Sequence, residues 1–172
     1  MKTALKLIVL FTFSVFIFSC KKSSSSSSNY FFSGSFNGSS KAFNTTVIAA
    51  KTNLGSGVYN LTIVGTNKNE ESAITLWSDQ DNFTAGTTYN ISALNGTTNN
   101  SLSYVSPIGS AAPTSIWNTT YDLGNVDQSF TCTITESTST YIKGTFSGVL
   151  YMDTDSAVVS QTVTTGQFYA KY

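Results

Sequence analysis

The chain has no histidine, and its nine basic residues are all lysine, so it has no arginine either. The first absence removes the usual base beside a nucleophilic serine or threonine. It also leaves zinc with no imidazole and only the thiols of Cys20 and Cys132, so no metal site is expected. The second absence removes the planar fork that grips phosphate or carboxylate at two points. Charge is scarce: 10% of residues are charged, with nine acids against nine lysines. That supply cannot build the basic footprint of a nucleic-acid partner. No residue is marked as catalytic and no cofactor is implied. Proline appears only twice, and no long helical period is visible beyond the first apolar run.

The N-terminus carries an export signal. Lys2 and Lys6 precede the uncharged apolar run Leu7–Phe18, and the small residue Ser19 follows. A charged start, a short apolar core and a small residue at the cut make a secretory signal. The run falls well short of the ~20 residues that span a bilayer as a helix. Cys20 comes directly after Ser19. Then comes Lys21–Asn29, a serine run that buries nothing and reads as a solvated spacer.

The stretch Ile17-Phe18-Ser19-Cys20 resembles the lipobox of bacterial lipoproteins, with Phe18 where the family usually has a small or aliphatic residue. The resemblance implies that the helical signal is cut after Ser19. It also implies that Cys20 carries a diacylglycerol on its sulfur and an acylated amino group. Each buried methylene adds about 0.8 kcal/mol, and stable anchoring takes more than one chain. The implied organisation is a signal peptide over residues 1–19, a lipidated cysteine and tether over 20–29, and one domain over 30–172. The implied partner is a membrane, reached through lipid on Cys20. The implied address is the outer membrane of the cell envelope, with its periplasmic and outer faces both open. With Cys20 lipidated, Cys132 has no partner for a disulfide. It alternates with Phe130 and Ile134 on one face and is expected to be buried.

Residues 30–172 are rich in threonine, aromatics, asparagine, glycine and serine, a strand-and-turn composition. Tyr30–Asn37 reads as a first strand, and Asn37-Gly38 is a hairpin signal. Ala42–Ala50 reads as the returning strand, partly buried on both faces. Further strands are expected over Val58–Gly65, Ser72–Ser78, Gly86–Ile91, Ser101–Ser106, Thr114–Thr120, Gln128–Thr135, Tyr141–Met152 and Ala157–Tyr172. Gly144 and Gly148, on one face of Tyr141–Met152, suggest a bulge or close backbone approach. The fold class is all-β: an antiparallel β-sandwich of about nine or ten strands, with a flattened β-barrel as the alternative.

Two function classes fit. The first is a non-enzymatic binding or structural module. Its candidate contacts are Trp77, Trp117, Tyr141 and Tyr151, aromatics that could stack on a glycan or meet an envelope protein. The second is an envelope glycan hydrolase, which needs two carboxylates facing across a cleft. Its candidates are Glu70-Glu71, Asp79 with Asp81, and Asp153 with Asp155. All of these fall in expected turns, where asparagine and aspartate bond their own backbone. The ordered series Ser35-Phe36-Asn37-Gly38, Gly86-Thr87-Thr88-Tyr89, Ile142–Gly148 and Gly166-Gln167-Phe168 resembles small β-rich lipoproteins of Bacteroidota-type bacteria. That resemblance implies an all-β lipoprotein domain and carries no activity.

Overall fold

The computed structural model describes residues 29–91, 99–108, 115–120, 129–154 and 157–172. The lipobox, the serine run and the side chains of Asp153 and Asp155 lie outside the described residues. Eleven strands follow in chain order. They are β1 Phe31–Phe36, β2 Ser39–Ala42, β3 Thr46–Asn53, β4 Tyr59–Thr66, β5 Glu71–Ser78 and β6 Thr88–Asn90, then β7 Ser101–Ser106, β8 Ser115–Asn118, β9 Phe130–Ser137, β10 Tyr141–Thr154 and β11 Ala157–Lys171. No helix occurs among the described residues.

Period-two alternation explains most of these elements. Phe32, Gly34 and Phe36 turn inward from β1; Leu61, Ile63 and Gly65 do so from β4, and Ser72, Ile74 and Leu76 from β5. Phe130, Cys132 and Ile134 do the same from β9, so Cys132 is a fully buried core residue as expected. The segment Ala42–Ala50 departs from its expectation. It divides into β2, the true hairpin partner of β1, and β3, which crosses to the other layer. Phe43, between them, is fully buried and turns its ring edge-on to Phe32 and Phe36. Nor is β3 buried on both faces: Val47 and Ala49 point in, while Ile48 and Ala50 point out.

All eleven strands belong to one hydrogen-bonded sheet, ordered β2-β1-β11-β3-β4-β5-β7-β8-β10-β9-β6, with β11 also paired to β10. The sheet folds into two layers because two of its joints are very narrow. β11 meets β3 through the single pair Lys171↔Ile48, and β10 meets β8 through the single pair Tyr151↔Asn118. One layer is β3-β4-β5-β7-β8 and the other is β2-β1-β11-β10-β9-β6. The β11–β3 joint is parallel; every other pairing is antiparallel. The layers interlock through aromatics. Phe36 of β1 lies 5.3 Å from the ring of Tyr104 on β7. Gly65 of β4 is where Phe32 presses closest: a Cβ there would sit 2.4 Å from the Phe32 Cβ.

The longest hairpin, β10–β11, forms the middle of the second layer. Its register slips between Phe146 and Gly148, a bulge at the glycine pair that the sequence singled out. Gly144 answers the same expectation by close approach. A Cβ on it would lie 2.4 Å from the Phe168 ring and 2.5 Å from the Thr133 carbonyl oxygen.

Candidate binding face

The outward-facing residues of the second layer make the most distinctive surface. Strand register sets Glu136 on β9 beside Lys143 on β10, Lys143 beside Tyr169 on β11, and Tyr169 beside Phe31 on β1. One row thus crosses four strands. Tyr141 joins it from two residues before Lys143, where alternation returns the chain to the same face.

The row is internally bonded. Lys143 Nζ donates to Glu136 Oε2 at 2.6 Å, and the Tyr141 hydroxyl donates to Glu136 Oε1. The ammonium also lies 4.7 Å from the Tyr169 ring centre and 5.1 Å from that of Tyr141, a cation–π arrangement. The two rings meet edge to face at 5.2 Å and 76°. Tyr30 adds a third ring, 4.8 Å from Tyr169. The hydrogen bonds from Lys143 and Tyr141 hold the Glu136 carboxyl below its usual range, and the same carboxylate raises Lys143 and Tyr141. At neutral pH the cluster holds one anion, one cation and a neutral phenol.

Beside this cluster lies a shallow hollow of about 300 Å³. Thr131, Thr133, Thr145, Ser147, Thr165 and Gln167 line it, with Gly166 at its floor where the strands bulge. Thr133 shares a hydrogen bond of 2.9 Å with Thr88 on the flanking strand β6. The surface therefore offers hydroxyls and one amide next to aromatic rings.

The four sequence-selected aromatics do not form one site. Tyr141 is in the cluster. Trp77 faces outward from β5 on the opposite layer, half-buried, with its backbone N–H bonded to Asn100 Oδ1 at 2.8 Å. Trp117 is not an outward contact: it pairs with buried Tyr104 and packs against the core. Tyr151 keeps the outer parity of its strand but is only 8% exposed, because it sits at the narrow β10–β8 joint. Tyr169, Tyr30 and Phe31 completed the cluster without being selected. For Tyr169 and Phe31 the local signal was the outward alternation of β11 and β1, whereas Tyr30 precedes β1 with the inward parity of Phe32; their meeting depended on pairing strands from opposite ends of the domain.

Of the described carboxylates outside this face, Glu70 and Asp81 are engaged elsewhere. Burial pushes the Glu70 carboxyl up, but hydrogen bonds from Lys41, Tyr104 and Asn67 outweigh it and hold the group at about 2. Lys41 Nζ and the Tyr104 hydroxyl each reach Glu70 Oε1 at 2.6 Å. That is the reverse of the raised value a glycosidic acid needs. Neighbouring Glu71 stands across the strand pair from Val105. Asp81 is exposed and paired with Lys51 at 2.9 Å. No group of three or more potential metal-binding side chains occurs among the described residues.

Comparison with known proteins finds no matching family model, no matching curated protein and no matching solved structure.

Proposed function

We propose that the protein is a lipid-anchored, non-enzymatic binding module of the cell envelope, held through Cys20 and presenting its second layer to a glycan. Support for the anchor comes from the signal, the cysteine behind Ser19 and the serine spacer. The first strand starts at Phe31, so the domain begins as soon as that spacer ends. The observation that carries the binding reading is the pairing of the Tyr141–Lys143–Tyr169 cluster with the hydroxyl-lined hollow on one face. Sugars present both apolar C–H faces and many hydroxyls, and this surface offers a counterpart to each.

The test has two arms. In cells supplied with labelled fatty acid, the wild-type chain should take up label and partition into detergent, and Cys20→Ser should do neither. Continued labelling of the variant would remove the anchor assignment. The purified full-length chain should then bind a subset of envelope glycans on an array. Tyr169→Ala and Gln167→Ala should each reduce that binding, with no glycan cleaved. Binding that survives both substitutions would move the site off this face.

A further inference from the structure

The geometry points to a second membrane contact: the tethered end of the sandwich docks onto the bilayer interface through Leu54, Ile48, Tyr30 and Tyr172. This rests on the lipid-anchor reading and adds an orientation to it.

Topology gathers these residues. β1 starts, β9 ends, β10 starts and β11 ends at the same end of the second layer, since Phe31 pairs with Tyr169 and Tyr141 with Lys171. β3 runs parallel to β11 and meets it at Ile48. It continues to Asn53, five residues past that joint, so its turn into β4 projects at this end as well. The turn holds three consecutive left-handed residues, Gly55, Ser56 and Gly57, at φ 84°, 54° and 74°. Leu54, just before them, is 56% exposed, and Ile48 is 49% exposed. Ile48 also borders an open groove of about 580 Å³, shared with Tyr30, Val47, Lys171 and Tyr172.

The chain enters the fold at this same end. Lys21–Asn29 spans about 30 Å even at full extension. An anchor at Cys20 therefore confines this end near the bilayer, at an effective concentration in the millimolar range for a short flexible linker. A weak apolar contact is enough under that confinement. Tyrosines are the side chains that favour the headgroup level, with a polar tip and an apolar ring. Two nearby lysines are paired, Lys51 with Asp81 and Lys143 with Glu136, and Lys171 stands beside the groove. Leu54 and Ile48 supply the apolar part of the contact, and Lys171 lies where it can meet an anionic headgroup.

The experiment uses the full-length lipidated chain in vesicles of phosphatidylethanolamine and phosphatidylglycerol that contain brominated lipid. A fluorophore is placed on Ser56→Cys at the tethered end, or on Ser39→Cys beside the β1–β2 turn at the opposite end. Cys132 is fully buried and does not compete for label. Lipid should quench the probe at position 56 and not at 39, at about 0.1 M salt and still at about 1 M. Adding Leu54→Ser should abolish the quenching at 56. Flotation of the protein with the vesicles, and its lipid mass, report the anchor separately. Flotation without quenching at 56, equal quenching at both positions, or quenching lost in high salt overturns the docking alone. Loss of flotation and of lipid mass overturns the anchor, and the docking with it.

Discussion

Gly65 and Gly144 show how tightly single positions are specified. Each lies against an aromatic ring with no room for a methyl group, so the neighbouring phenylalanine would have to leave its place. Overpacking of this kind costs about 1–3 kcal/mol. Gly65→Ala is expected to lower the unfolding free energy by that amount, read as a lower urea midpoint at an unchanged slope in equilibrium unfolding. Glu70 makes a pH prediction. Its carboxyl lies at about 2 in the fold against an ordinary 4.5. The folded value is depressed, so its stabilisation is fully present above pH 4.5 and is lost as pH falls toward 2. Removing it with Glu70→Gln should cost on the order of 1–3 kcal/mol at pH 7 and much less near pH 2, as read from unfolding curves at both pH values. Cys132 makes a chemical prediction. Burial pushes its thiol well above the usual range, so a thiol reagent should modify it only at the rate of unfolding.

Among the elements, the β1–β2 turn is the most exposed to test. Asn37 takes a left-handed φ of 46°, and its side chain does more than tolerate that backbone. Asn37 Oδ1 accepts from the Thr162 N–H at 2.8 Å, and the Asn37 N–H donates to the Thr162 carbonyl at 2.8 Å. The turn is thereby fastened to β11. Asn37→Ala loses the side-chain bond and strains the backbone, and is expected to cost about 1–2 kcal/mol by thermal or urea unfolding. Asn37→Gly should lose the bond alone and cost less. This turn was legible in sequence because Asn-Gly has few other uses between alternating strands. The strands Ser101–Ser106 and Tyr141 onward were legible through their period of two. β2 and β3 were not separable, because Ser39–Ala42 has no alternating apolar face to mark it as a strand. Its partner is chosen by the turn, and β3's by the opposite layer.

At the scale of the molecule, the sandwich depends on where long strands stop pairing. The two single-pair joints let one continuous sheet fold into facing layers, and neither joint leaves a pattern in the local sequence. The same long-range pairing explains why half of the candidate cluster was unreadable. Tyr141 and Lys143 were visibly on one face, whereas Tyr169 and Phe31 reach them only through the β10–β11–β1 order. The end proposed to dock emerges at this scale too, since the parallel β3–β11 joint brings the Leu54 turn to the end where β1 begins. The proposed anchor rests on the covalent state of Cys20, which mass spectrometry of the N-terminal peptide of the protein purified from a bacterial membrane reads directly. A mature chain beginning at Cys20 and carrying diacylglyceryl and acyl mass is the predicted result. A chain still bearing residues 1–19, or one whose Cys20 carries no lipid, would contradict it.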